Sequence, residues 1–129
     1  MASPADLRYT RTHEWARRDG DVVTIGITDH AQSELGDITF LELPEVGSTV
    51  LTNEPFGVVE SVKAASDVFA PVEGEVIERN EDAIATPDLV NSSPYDRAWL
   101  IKLRAANPEQ IDELMAPADY DAYAEATGH

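Results

Sequence analysis

Val58-Val59-Glu60-Ser61-Val62-Lys63-Ala64-Ala65-Ser66-Asp67-Val68-Phe69-Ala70-Pro71-Val72 is the stretch that decides the fold. An apolar run leads in, small residues surround a lysine, and a second apolar run leads out. Such a pattern reads as two strands joined by a tight turn. Lys63 then stands at the tip of a hairpin, with its amine carried away from the core. Its neighbours are small or β-branched, so an approaching enzyme meets little bulk. The ordinary alternative is a solvated turn lysine, the commonest fate of any lysine. Two lysines stand against seven arginines in the chain, and Lys102 lies in a stretch of a different kind.

The 129 residues suit one domain spanning 1–129, large enough for a real core. No apolar stretch approaches the length of a membrane span. The opening Met1-Ala2-Ser3-Pro4-Ala5-Asp6 lacks the basic and apolar regions of a secretory signal, which leads us to expect a cytoplasmic chain. Cysteine is absent. A disulfide scaffold, a thiolate metal site and a cysteine nucleophile are thereby excluded. A protein carrying an external dithiol would also have no thiol of its own to compete in exchange. Twenty-five carboxylates against nine basic residues give a net charge of −16. Nucleic acid and anionic membranes are therefore disfavoured as partners, because binding them rests on cationic side chains. A positively charged protein surface fits better, and the field would speed encounter.

Upstream of the hairpin, Leu7, Tyr9, His13 and Trp15 occupy odd positions and predict one opening strand over 7–18. Asp19-Gly20-Asp21 marks a turn. Val22–Ile27 is β-branched and strand-like. Asp29 followed by Gln32 has the spacing of a capping box for a short helix that reaches Leu35 and stops at Gly36. Ile38–Leu43 and Thr49–Leu51 read as further strands, as does Val72–Ile77 beyond the lysine. Leu43-Pro44-Glu45-Val46-Gly47-Ser48-Thr49-Val50 is echoed by Ala70-Pro71-Val72-Glu73-Gly74-Glu75-Val76. The echo suggests two similar strand-turn-strand units packed as the halves of a small β-sandwich. Thr86-Pro87 predicts a capped helix start. Trp99, Ile101 and Leu103 are expected inward, and Lys102 and Arg104 outward. Asn107-Pro108-Glu109-Gln110 opens a helix to about Met115. Pro117 is expected to break it, before a last helix over Asp119–Ala126 that ends near Gly128.

Enzymatic constellations are not evident. The histidines are His13, His30 and His129, and there is no HExxH, Gly-rich phosphate loop or GxSxG. The chemistry worth weighing is a group carried on Lys63, for which lipoyl and biotinyl are the choices. Biotin carriers flank the lysine with methionines. Val62 and Ala64 stand there instead, which argues against biotin.

Glu60-Ser61-Val62-Lys63-Ala64, followed by Ser66-Asp67 and Ala70-Pro71, resembles the lipoylation segment of the glycine cleavage H proteins. His13-Glu14-Trp15 resembles the N-terminal motif of that family. Gly26-Ile27-Thr28-Asp29-His30-Ala31-Gln32 with Leu35-Gly36-Asp37 resembles its second block. Leu43-Pro44-Glu45-Val46-Gly47, and Leu89-Val90-Asn91 with Pro94-Tyr95, continue it. Ala98 stands where the family often has glycine, and alanine reaches a positive φ less cheaply.

The resemblance implies a mostly β fold: a small β-sandwich or barrel of the lipoyl/biotinyl-carrier (hammerhead) type, with short helices and a helical C-terminus. It places a lipoyl hairpin at about 56–77 and C-terminal helices at about 108–126 of a single lipoyl-carrier domain. It implies lipoate joined covalently to Lys63, with Glu14 and His30 near the resting place of the loaded arm. The implied role is that of a carrier without turnover of its own and without a metal. It would take the aminomethyl group of glycine from glycine decarboxylase (the P protein) to aminomethyltransferase (the T protein), and pass electrons to dihydrolipoyl dehydrogenase (the L protein). Lipoylating enzymes would be further partners. Two other readings stand beside it: an octanoyl or lipoyl relay in lipoate metabolism, and a structural β-domain whose lysine is unmodified.

Overall fold

The computed structural model describes residues 6–127. The readings of Met1–Ala5, of the stop at Gly128 and of His129 fall outside them. The opening stretch divides into two strands, β1 (Arg8–Tyr9) and β2 (Glu14–Asp19), paired antiparallel with Tyr9 opposite Trp15. The predicted single strand breaks at Thr10–His13, where His13 takes φ 71° and its amide donates to the Thr10 carbonyl. Gly20-Asp21 turns β2 into β3 (Val22–Ile27), the strand its β-branched run predicts.

Helix α1 (Asp29–Leu35) follows, one residue out of phase with the expected cap. Thr28 is the N-cap and its hydroxyl accepts from the Ala31 amide, while Asp29 sits inside the first turn and accepts from Gln32 Nε2. Both side chains can cap a helix, and Thr28 still has the extended backbone a cap needs. Gly36 stops the helix at φ 84°, a value that favours glycine.

The strands β4 (Ile38–Glu42), β5 (Thr49–Val50), β6 (Pro55–Ser61), β7 (Ala65–Phe69), β8 (Gly74–Arg79) and β9 (Ile101–Ala105) complete two antiparallel sheets. The larger runs β1-β2-β3-β9-β8-β5 and the smaller β4-β6-β7. The hairpin carrying Lys63 is Pro55–Phe69; β8, which falls within the expected span 56–77, joins the other sheet.

The sequence echo has a structural meaning that differs from two facing halves. Each unit crosses at its proline from the small sheet to the large one, β4 to β5 and β7 to β8. Strands β4 and β7 flank β6, while β5 pairs with β8 through Gly47 N–H to Val76 O and Val76 N–H to Ser48 O, both 2.8 Å. The units interleave, so each contributes to both sheets. Period-2 burial fills the space between with Val23, Ile25, Leu41, Val59, Val68, Val76, Ile101 and Leu103.

Short helices close the ends. Asn80 caps α2 (Glu81–Ala85) and also donates to the carbonyls of Arg97 and Trp99. Thr86 closes α2 as its C-cap, its amide donating to the Asp82 carbonyl, and starts no helix. Thr86-Pro87-Asp88 forms a turn, and α3 (Leu89–Ser92) starts only at Leu89. Trp99 is half-buried rather than inward, its face covered by the Lys102 ammonium at 4.8 Å. Pro108–Glu113 winds as a 3-10 helix, with no cap bond from the Asn107 side chain. Pro117, expected as a breaker, instead opens α4 (Pro117–Thr127), because proline lacks only an N–H that the first turn leaves unused. That helix covers a second apolar cluster, Leu7, Tyr9, Trp15, Tyr120 and Ala124. No helix among the described residues is long and apolar enough to cross a membrane.

Candidate functional site

Lys63 is exposed at the tip of the β6–β7 hairpin. Ser61 builds the turn. Its amide donates to the Ala64 carbonyl at 2.7 Å, and its hydroxyl accepts from the amides of Lys63 at 3.3 Å and Ala64 at 3.1 Å. Neither Val62 nor Lys63 takes a positive φ, so the turn closes without a glycine. The Val62 amide donates to the Asp37 carbonyl, which ties the tip to the end of α1. Gly36 lies under the lysine: a methyl there would stand 3.6 Å from Lys63 Cε. Asn91 fixes this floor by donating to the Gly36 carbonyl and Gln32 Oε1 while its own Oδ1 accepts from the Ile38 amide. The other lysine, Lys102, is half-buried, laid on Trp99 and 3.9 Å from Glu78. Among the described residues no ion pair involves Lys63.

Glu14 is 1% exposed, so it is not the surface strand residue its position in the sequence allows. One carboxylate oxygen accepts from the hydroxyls of Thr10 and Thr12, and the other from the Phe69 amide at 3.1 Å. The side chain therefore clamps the foot of the hairpin to β2. Burial pushes its carboxyl above the ordinary range, against the lowering pull of these three donors. Glu14→Ala leaves three partly buried or exposed donors without their acceptor and is expected to cost about 1–3 kcal/mol. The measurements are chemical denaturation and hydrogen exchange at the Phe69 amide, which should speed more than the exchange of amides in β9.

His30 is half-buried in the first turn of α1, with Nε2 3.7 Å from Glu34 Oε1. Its ring lies against His13, with centroids 4.6 Å apart. His13 in turn meets the Tyr120 hydroxyl through Nδ1 at 2.8 Å. The site thus gathers His13 with His30, and Glu14, next to His13 in the chain, turns its carboxylate toward β7. Burial lowers the pKa of His13 below its ordinary 6.5, and neighbouring His30 adds to this while Glu34 opposes it. The sign follows by linkage: below pH 6.5 the unfolded chain takes up a proton that folded His13 resists, so stability is lost as pH falls. Glu14 acts in the opposite sense at lower pH, from its ordinary 4.5 upward. The apparent Tm is expected to fall between pH 7.5 and 5.5 in wild type, and to fall less in His13→Gln.

Lys63 and the pair Glu14 and His30 lie at opposite ends of shared elements. Helix α1 leads from Gly36, beneath the lysine, to His30, about 9 Å away along its axis. Strand β7 leads from the lysine turn to Phe69, where Glu14 binds. Ser61, Gly36 and Asn91 support the lysine and were not singled out as site residues by the sequence. All three fall inside the quoted family blocks, and Gly36 was also read as the stop of the helix.

The family model for the glycine cleavage H-protein matches residues 7–127. The chain belongs to the glycine cleavage H-protein family. A glycine cleavage system H protein of Carboxydothermus hydrogenoformans is 53% identical over 125 residues, 97% of this chain and 96% of the relative. One from Rubrobacter xylanophilus is 55% identical over 91% of this chain and 90% of the relative. The crystal structure of such a protein from Mycobacterium marinum superposes with a TM-score of 0.86 at 37% identity, covering 98% of this chain and all of that one. The family read from the five sequence blocks, and the β-sandwich fold it implied, are borne out. Ala98, where the family often has glycine, is buried and is not among the residues with positive φ. Its amide donates to the Ser93 carbonyl, and the loop turns without the glycine.

Proposed function

We propose that the protein is the lipoylated carrier of the glycine cleavage system, with lipoate in amide linkage to Lys63 Nζ. The observation that carries this reading is the presentation of Lys63: an exposed amine on a turn built by Ser61, with its stem lying over the Gly36 stop of α1. The residues fit the group. An amine free of ion pairs can be acylated, and the acylated side chain loses its charge at a place where no carboxylate depends on it. When bound, lipoate supplies a dithiolane that accepts an aminomethyl group and an electron pair.

The chain's own residues position and shelter. Helix α1 and strand β7 both lead from Lys63 toward His30 and Glu14, so an arm laid along them ends beside the two. His30 offers a ring nitrogen to a cargo amine. Glu14, buried and spent on Thr10, Thr12 and Phe69, acts from beneath by fixing the foot of the hairpin on which the arm would rest. A resting place of this kind keeps water from a labile cargo.

The partners in this reading are glycine decarboxylase, aminomethyltransferase and dihydrolipoyl dehydrogenase, together with the enzymes that lipoylate Lys63. The protein itself is not catalytic. We place this work in the cytoplasm, where soluble folate and NAD receive the products. The tether raises the effective concentration of cargo at each partner, and the charge of −16 favours fast, salt-sensitive encounter with basic surfaces. Glycine–bicarbonate exchange with purified glycine decarboxylase tests the reading. Lipoylated protein should support exchange and the unmodified chain should not. Equal exchange with both would overturn it. The relay alternative predicts instead that an acyl group on Lys63 moves to the lysine of a second lipoyl domain.

A further inference from the structure

The hydroxyl of Tyr120 lies between two others' polar atoms, 2.8 Å from His13 Nδ1 and 2.7 Å from Thr28 Oγ1. Tyr120 is 1% exposed and Thr28 is fully buried, so water does not supply the missing partners. Thr28 Oγ1 already accepts the Ala31 amide as the cap of α1. Its hydroxyl proton then has one acceptor within reach among the described residues, the Tyr120 oxygen. The Tyr120 proton has one acceptor left, His13 Nδ1. Each hydroxyl in the chain Thr28 to Tyr120 to His13 donates once, and the ring proton of His13 must sit on Nε2. The reverse direction, with a proton on His13 Nδ1, strands the Thr28 hydroxyl proton in a dry place.

We propose that Tyr120 is a positioning residue for His30: its hydroxyl holds His13 as the neutral Nε2–H tautomer, and the ring of His13 is the wall against which His30 stands. The wall is otherwise made of aromatic rings from α4. Tyr120 meets His13 edge-on at 5.7 Å, Tyr123 lies 6.0 Å away, and Tyr120 itself stacks on Tyr9 at 4.7 Å. The charged groups around the cluster include Glu34 beside His30, Arg11 over Tyr123, and Asp121 and Glu14 near Tyr120. Two imidazolium rings with centroids 4.6 Å apart would repel. A His13 pinned neutral spares the pair that repulsion. His13 also takes a positive φ, so its backbone presents the ring at this angle only while the Thr10–Glu14 turn is intact. The C-terminal helix thereby controls, through one hydroxyl, the orientation of a residue at the start of α1. The role toward the carried group rests on the reading of His30 as an arm contact, whereas the tautomer does not.

The test uses the full-length protein and imidazole nitrogen NMR, which separates Nε2–H from Nδ1–H by shift. Wild type at pH 8 should show His13 as Nε2–H. Tyr120→Phe removes only the hydroxyl and should convert His13 to a mixture with a substantial Nδ1–H share, while Tyr123→Phe should leave it unchanged. Cargo lifetime is the second readout: lipoylated Tyr120→Phe, charged and freed of partner enzymes, should lose its aminomethyl group several-fold faster than wild type. A wild-type His13 found as Nδ1–H overturns the proposal, even if the variant fails to fold. So does a Tyr120→Phe spectrum identical to wild type, or a changed tautomer with unchanged cargo lifetime. Absence of lipoylation would defeat the carrier reading but leave the spectrum of the unmodified chain standing.

Discussion

Lys63→Arg is expected to abolish lipoyl incorporation and glycine–bicarbonate exchange completely, with no loss of stability. The chemistry gives the size of the effect. Arginine keeps the charge and most of the length, but its guanidinium stays protonated and is a poor nucleophile toward an activated acyl group. The structure gives the absence of a folding cost. The lysine side chain is exposed, its aliphatic stem lies over Gly36 without an ion pair, and the turn is held by Ser61 and backbone groups that the substitution leaves alone. Circular dichroism and denaturation should match wild type. Lys102, on β9 of the other sheet, cannot substitute, because its amine is laid on Trp99 and near Glu78. An arginine variant that still exchanged bicarbonate would move the attachment elsewhere.

Trp15→Ala should produce the largest loss of stability of any single change considered. Trp15 has no exposed surface and sits at the centre of the second apolar cluster. Its partner across the ladder is Gly26, and a Cβ at that glycine would lie 2.6 Å from the indole ring, so the strand has been left bare to receive it. The indole N–H donates to the Pro94 carbonyl at 2.9 Å and so fastens the Pro94-Tyr95 loop to β2. Truncation of a buried tryptophan to alanine costs about 3–5 kcal/mol, which at this chain length lowers Tm by roughly 10–20 °C. Trp15→Phe separates the contributions. It keeps much of the packing but orphans the buried Pro94 carbonyl, and should fall between wild type and alanine. A Tm within a few degrees of wild type for Trp15→Ala would mean that the cluster does not hold the N-terminal strands.

The lysine hairpin was legible because its determinants are local. Apolar runs, a serine-closed turn and small flanking residues all lie within a dozen positions of Lys63. The echo around Pro44 and Pro71 was legible for the same reason, though not its geometry, since interleaving of β4, β5, β7 and β8 depends on pairings the pattern does not encode. Local signals of similar strength competed elsewhere. Thr28 and Asp29 both cap helices well, and the backbone chose the first. Pro117 can end one helix or begin another, and it begins α4.

The surroundings of the site were the least legible part. Glu14 reads as an exposed strand residue until Phe69, 55 residues away, turns out to donate to it. His13 drew notice only as part of a motif, because the residue that defines its proton, Tyr120, lies 107 positions on. Contacts at that separation leave no periodicity, no cap and no turn residue in the sequence. Only the resemblance to the family pointed to Glu14 and His30.

The account turns on a covalent group at one amine. Intact-mass measurement of the protein from cells with active lipoylation enzymes, followed by peptide mapping, tests it most directly. A single lipoyl-sized increment on the peptide containing Lys63, with Lys102 unmodified, is the predicted result. An unmodified mass under those conditions, or the increment on Lys102, would contradict it.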